Sequence, residues 1–327
     1  MTLELLFVGL GEIGTSLAMA LKQASADATH VGYDRDKGAG RAAQASGAID
    51  KLVINPYKAA RTADMVILTQ PDPDASQFLE DVAGNLRDGA GLLDCSPLSA
   101  ESFRWAKDHL PNAYYLCAVP VVRFDALHNL ETTYHDARAD LFADGQLALV
   151  IPADLPERIL NITINLAEAI GGEPFFLDPA EMEAVASLID TLPAALGIAL
   201  LRTAAASRGW IDIQRLAGRP FAAGAYHAGQ QEAAHLSKRL LDNRQSLTVH
   251  LQEIVKEIER LQDLLAEGDE EELAAYLGEA LAAHEGWLAK RKRADWEGEE
   301  LSRAQISGTG MLGNLFGFDP TRSRRKK

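Results

Sequence analysis

Short apolar runs alternate with stretches of helical spacing over roughly the first half of the chain. Leu3–Val8, Thr29–Tyr33, Lys51–Ile54, Met65–Thr69, Gly91–Asp94, Tyr114–Ala118, Leu147–Ile151 and Phe175–Leu177 read as strands. Ile13–Gln23, Gly38–Ser46, Phe78–Leu86, Ala100–His109 and Pro156–Ala169 between them read as helices. Continuous apolar strands separated by helices predict a mostly parallel sheet covered on both faces. After Asp178-Pro179 the strand pattern stops. Pro179–Arg208 is dense in Ala and Leu, and Leu236–Leu265 predicts one long amphipathic helix. Its Leu247, Leu251, Ile254, Ile258, Leu261 and Leu265 form an a/d seam, which suits either a core-facing stripe or a helix paired across a dimer. Asp269 with Glu272 resembles a capping box for a last helix ending near Arg293. The expected fold is α/β. A Rossmann-type, mostly parallel sheet domain (1–177) precedes an all-helical dimerisation domain (178–295) and a disordered tail (296–327) ending in Arg324-Arg325-Lys326-Lys327.

Composition narrows the partners. A net charge of -15 over 327 residues disfavours nucleic acid and anionic membranes, while leaving room for a small anionic substrate in a locally positive site. The two cysteines, Cys95 and Cys117, form no metal-spaced set, and the eight histidines are scattered, so no metal is expected. With no signal-peptide pattern at the N-terminus, a reducing, cytoplasmic setting is expected. The apolar tract Met182–Leu201 contains Glu183, Asp190 and Pro193 and reads as a buried helix pair, not a membrane span.

The first chemistry lies at Phe7–Gly14, FVGLGEIG, where a strand turns into a helix. Gly9, Gly11 and Gly14 have the G-x-G-x-x-G spacing. The first makes the sharp turn, the second lets a pyrophosphate approach the backbone, and the third lets the helix pack on the strand. Asp34, at the end of the second strand, stands where a carboxylate accepts bonds from an adenosine ribose and repels a 2′-phosphate. Ligands on such sheets sit beyond the carboxyl ends of the strands, which adds Thr69-Gln70-Pro71, Asp94–Ser99 and Val119-Pro120 to the rim. The expected cofactor-binding set is Gly9, Gly11, Glu12, Ile13, Gly14, Asp34, Arg35, Gln70 and Pro71, with NAD preferred to NADP.

The pattern as a whole resembles the prephenate/arogenate dehydrogenase family of tyrosine biosynthesis, over roughly residues 3–293. The likeness rests on FVGLGEIG, VGYDRD, ADMVILTQP and LLDCSPLS, then ADLFADG, Leu192-Pro193, GWIDIQRLA (Gly209–Ala217) and Asn243-Arg244. It implies an NAD-dependent oxidative decarboxylation by a homodimer joined through the helical domain. It also implies that Arg215 binds a substrate carboxylate, a task suited to a permanently charged, forked guanidinium. Asp212, one turn earlier, is placed to hold that guanidinium, although the spacing alone fits a purely structural Arg–Asp pair.

Several polar positions depart from the family. Its catalytic histidine lies in a His-Pro-Met-like turn, and this chain has Val119-Pro120-Val121. Its Ser-His-Leu-Pro-like turn reads Asp190-Thr191-Leu192-Pro193, and its serine after the fifth strand falls at or beside Pro97, next to Ser96 and Ser99. Ser96, His128 and His135 are the candidate catalytic replacements, with one histidine folding back over the nicotinamide; solvated loop histidines are the competing reading. Loss of the histidine also motivates an alternative, a catalytically silent NAD-binding homodimer that senses or scaffolds. A β-hydroxyacid type of reductase is disfavoured, because residues 179–201 lack the lysine such enzymes use.

Overall fold

The computed structural model describes residues 3–24, 27–69, 75–95, 100–229 and 232–294. The expected tail and positions 70, 71 and 96 lie outside them. The first half runs β1 (Leu3–Val8), α1 (Glu12–Ala24), β2 (Ala28–Tyr33), α2 (Lys37–Ala45), β3 (Lys51–Leu52), α3 (Pro56–Ala59), β4 (Met65–Leu68), α4 (Ala75–Ala83), β5 (Gly91–Asp94), α5 (Ala100–His109), β6 (Tyr114–Pro120), β7 (Gln146–Val150), α6 (Glu157–Ala169) and β8 (Glu173–Phe176). These strands form one eight-stranded sheet in the order β3-β2-β1-β4-β5-β6-β7-β8. All neighbours are parallel except β6 and β7, which pair antiparallel with Cys117 opposite Val150. The expected Rossmann-type sheet is thus the observed one.

Alternation along β1 shows why both faces are covered. Leu5 and Phe7 enter a core with Leu17 and Leu21 of α1, Ala39 and Ala43 of α2, and Ile159 and Leu166 of α6. Leu6 and Val8 enter the opposite core with Val82 of α4, Ala106 of α5 and Met182 of the next helix. All four β1 side chains are buried, so a one-residue slip would exchange the two cores. At the start of β4, Asp64 gathers three partners. Glu4 N–H donates to its carboxylate at 2.8 Å, and Arg87 and Arg158 both pair with it.

The second half continues as α7 (Pro179–Ala186), a π turn (Ser187–Thr191), α8 (Leu192–Ala205), α9 (Trp210–Leu216), α10 (Arg219–Gly229), α11 (Ala233–Asp242), α12 (Arg244–Glu267) and α13 (Glu270–Arg293). The tract read as a buried helix pair is instead one continuous run, Pro179–Ala205, long and apolar enough to cross a membrane by length and composition alone. Pro193 does not break it, because it lies in the first turn of α8, where its missing N–H is tolerated. The run is only partly buried, and its contacts are with protein: α8 against α10, the π turn against α12 and α7 against α5.

The long helix expected over Leu236–Leu265 is two helices, broken at Asn243. The seam is buried at Leu247, but Ile258 and Leu265 remain 50% and 61% exposed, while Leu264, off the seam, is buried. A core-facing stripe within the protomer therefore accounts for its beginning and not for its end. Gly268, at φ 73°, closes α12. The contacts divide the chain at that point, into Met1–Gly268 and a unit starting at Asp269, whose carboxylate caps α13 by accepting from Glu271 and Glu272 N–H.

Candidate active site

The glycine loop joins β1 to α1 at the carboxyl rim of the sheet. Gly9 adopts φ 97°, a conformation that favours glycine, and its N–H donates to Tyr33 O at 2.9 Å. A Cβ on Gly14 would lie 2.0 Å from Gly9 O and 2.4 Å from Thr69 Oγ1, so α1 sits as close to β1 as a bare backbone allows. A Cβ on Gly11 would meet no atom within 4 Å among the described residues. One glycine is there for packing and the other opens a concave face, the division of labour expected where a pyrophosphate lies against the backbone. The first-turn N–H groups of α1, at Glu12, Ile13 and Gly14, begin at this face, and the helix dipole favours an anion there. Ile13 also packs its side chain against the core beneath.

Side chains lock the loop. Thr69 Oγ1 donates to Gly9 O at 2.7 Å, and Thr15 Oγ1 donates to Leu10 O at 2.9 Å. The half-buried Asp34 carboxylate accepts from Leu10 N–H at 2.6 Å and from Asp36 N–H at 2.7 Å. Sequence reading gave Asp34 a role toward the ribose only. It is also the bracket between the glycine loop and the end of β2, and each carboxylate oxygen keeps lone-pair capacity for ribose hydroxyls. Arg35, next to it, is exposed.

Beyond β6, residues 121–145 form a loop tied down along its length. Val121 N–H donates to Gln146 O, Arg123 N–H to Leu141 O, and Arg138 N–H to the buried Ser16 Oγ on α1. A 3-10 turn at Tyr134–Asp136, capped by Thr133, packs on α1 and α2. It brings the Tyr134 hydroxyl to 3.1 Å from where a Cβ on Gly38 would stand. His135 is exposed, with its ring centroid 4.2 Å from that of Tyr134. The loop therefore carries His135 toward α2, the adenosine side of the rim, and not back over the ends of β4 to β6. The capped turn and the Ser16 bond fix that course. His128 is exposed as well.

Two other candidate chemistries are removed. Burial, then the nearby Asp94 carboxylate, pushes the Cys95 and Cys117 thiols up, so neither is a ready nucleophile. They pack into opposite cores of the sheet, and neither is in a disulfide. Asp94 itself is buried and accepts a 2.7 Å bond from Tyr115 OH. A cavity of about 420 Å³ lies at the other end of β1 and β2, lined in part by Leu3, Leu5, His30 and Asn165, away from the glycine loop.

On α9, Asp212 and Arg215 are both exposed, and no ion pair joins them. The expected clamp is not formed within the protomer. Two solvated side chains one turn apart attract by only about 0.3–0.5 kcal/mol, too little to hold them together. Their neighbours Ile211 and Leu216 are 67% and 82% exposed.

The sequence matches the family model for the prephenate dehydrogenase nucleotide-binding domain over residues 17–174. It matches the prephenate dehydrogenase dimerization domain over residues 178–279. The chain belongs to the prephenate dehydrogenase family. It is an oxidoreductase of that type and carries the family's nucleotide-binding domain. The first match begins just after the glycine loop, which the geometry above assigns independently. Cyclohexadienyl dehydrogenase of Zymomonas mobilis is 24% identical over 281 residues, 84% of this chain and 93% of its own length. Among solved structures, prephenate dehydrogenase from Aquifex aeolicus in complex with hydroxyphenyl propionate and NAD+ has a TM-score of 0.74 at 20% identity, covering 88% of this chain and 98% of that one. Synechocystis arogenate dehydrogenase has a TM-score of 0.66 at 19% identity, covering 87% of this chain and 100% of the other. These structures share the fold of this family member.

Proposed function

We propose that the protein oxidises prephenate, or a closely related cyclohexadienyl acid, with loss of carbon dioxide. The observation that carries this reading is the succession of the two family domains along most of the chain. NAD, when bound in this loop, would supply the acceptor for the hydride leaving the ring carbon that bears the 4-hydroxyl, and the ring carboxylate would be lost as carbon dioxide, leaving its bonding pair to make the ring aromatic. The chain's own contribution begins with the loop at Gly9–Gly14 and the first turn of α1, which hold the pyrophosphate. Asp34, with Arg35 beside it, takes the adenosine end, and Gln70 and Pro71 are proposed as further cofactor-binding residues. Arg215 binds a substrate carboxylate. The exposed Ile211 and Leu216 around it suit burial by a second copy, in keeping with the dimerization-domain match. Acid–base help comes from neither Val119 nor His135; His128 and Ser96 stay as the candidates. The setting is cytoplasmic, as befits a soluble biosynthetic dehydrogenase.

The deciding measurement is NADH formation at 340 nm with prephenate and with arogenate. Turnover with either supports the reading. Saturable NAD binding with no turnover of either acid removes it and leaves a silent NAD-binding dimer. Valine in place of the family's histidine is expected to slow turnover by about 10²–10⁴-fold relative to members that keep it. Arg215→Ala should raise KM for the acid by about 10–100-fold and leave KM for NAD within twofold. An unchanged acid KM would remove Arg215 from the site. Asp34→Asn should weaken NAD by about tenfold and narrow its advantage over NADP, because the ribose acceptor and the bracket to Leu10 both lose charge. A wild-type preference for NADP would contradict the role given to Asp34.

A further inference from the structure

The π turn at Ser187–Thr191 interrupts an otherwise regular helical run. Such an inserted residue re-aims the side chains around it and is frequent at functional sites. Here it presents Asp190 to α11, where Asp190 Oδ2 lies 2.8 Å from Arg239 Nη2. The contact is close but poorly aligned. Asp190 Oδ2 and Arg239 Nε are shut off from solvent without a hydrogen-bond partner among the described residues, and so is Asn243 Oδ1 one turn further on. Burial pushes the Asp190 carboxyl up although Arg239 and then His227 pull it down, so this pair does not satisfy its own charges. Both side chains still keep 28% of their surface accessible at other atoms, so an incoming group can approach the pair from that side.

The cluster also has a defined place. Tyr226 OH, on α10, donates to Leu130 O in the loop that leaves the carboxyl end of β6. His227 follows Tyr226 directly and is one of the charges acting on Asp190. The Asp190–Arg239 pair therefore stands where the helical half meets the loop running off the cofactor rim. A guanidinium with an unused nitrogen, paired with a carboxylate it does not fit well, is suited to exchanging that carboxylate for another.

We propose that Arg239 binds a carboxylate of the acid substrate and that Asp190 is the internal competitor it leaves to do so. This rests on the dehydrogenase reading above and adds to it a specificity-determining residue on a different helix from Arg215. The pair then favours substrates with an anion at this end, and Asp190 sets how tightly they must bind to displace it.

The test uses the full-length protein with NAD present, measuring binding of hydroxyphenylpropionate by calorimetry and KM for the acid that turns over. Arg239→Gln should weaken acid binding by about 10–100-fold, with Arg239→Lys between it and the wild type. NAD affinity should stay within twofold in both. Asp190→Asn should act in the opposite sense and tighten acid binding by about 3–10-fold. A purely structural ion pair gives another pattern: both Arg239→Gln and Asp190→Asn lower the melting temperature and neither moves acid affinity. That pattern overturns the proposal, as does Asp190→Asn weakening the acid. Wild-type protein that binds NAD but neither binds nor converts any acid removes the dehydrogenase reading along with it. Acid binding that is intact in the wild type and unchanged in Arg239→Gln removes only the role of Arg239.

Discussion

Gly14→Ala is expected to weaken NAD binding by at least about 100-fold and to cost the fold about 3 kcal/mol. The new methyl would stand 2.0 Å from Gly9 O, a backbone atom with nowhere to go, and 2.4 Å from Thr69 Oγ1. Thr69 cannot simply rotate away, because its hydroxyl donates to that same Gly9 oxygen. The relief left is a shift of α1 off β1, which pulls Leu17 and Leu21 from the core and moves the helix N-terminus from the phosphate position. Gly11→Ala is the matched control. Its methyl meets no atom of the described residues, so the melting temperature should hold while NAD binding falls through collision with the cofactor. Calorimetric NAD titrations and thermal melts of the two variants settle the point. A Gly14→Ala protein that binds NAD within threefold of wild type, or a Gly11→Ala protein that binds it undiminished, sinks the assignment of this loop to the pyrophosphate.

The two glycines also show what a sequence can reveal. The glycine spacing depends on local backbone geometry, so the turn at Gly9 and the close packing at Gly14 were legible. The strands were legible for a similar reason: parallel strands buried on both faces are continuous apolar runs, as at Met65–Leu68. The break at Asn243 was not, because the residues on either side keep helical spacing and nothing local forbids a single helix. Nor were the bounds of α9, or α10 at all, legible; Trp210–Leu216 buries no residue of its own, so it carries no one-sided pattern to read. Side-chain partners drawn from remote segments were the least legible. Asp34 was visible as a candidate ribose ligand, but its bond to Leu10 N–H spans 24 positions. Asp190 was visible as an odd charge in an apolar tract, whereas Arg239 lies 49 positions away on another helix. His135 shows the converse difficulty. A loop histidine near the expected site is easy to name, and only the tie between Arg138 and Ser16 shows which way the loop turns.

Asp64→Asn is expected to destabilise the sheet half by about 3 kcal/mol near neutral pH. The Asp64 side chain is 7% exposed, and its carboxylate joins β4 to Glu4 of β1, Arg87 before β5 and Arg158 of α6. An amide keeps one acceptor for these donors but removes the charge that two guanidinium groups face. The figure sits at the low end for a broken buried pair, because Arg87 and Arg158 are 34% and 54% exposed and can turn to water. The same site fixes a pH dependence. Burial works to raise the Asp64 pKa, but the bonds from Glu4 N–H, Arg158 and Arg87 outweigh it, and the folded value lies below the usual carboxylate range. A group with a depressed folded pKa stabilises fully above its unfolded value, about 3.9, and loses that contribution as pH falls through the folded value. The stability gap between wild type and Asp64→Asn should therefore be widest above about pH 5 and shrink steadily on acidification. Urea midpoints measured from pH 7 down to pH 3 give the comparison directly. A gap that stays constant over that range would mean that Asp64 supports the fold by shape and hydrogen bonding alone, and that its charge contributes nothing to holding the start of β4 to α6.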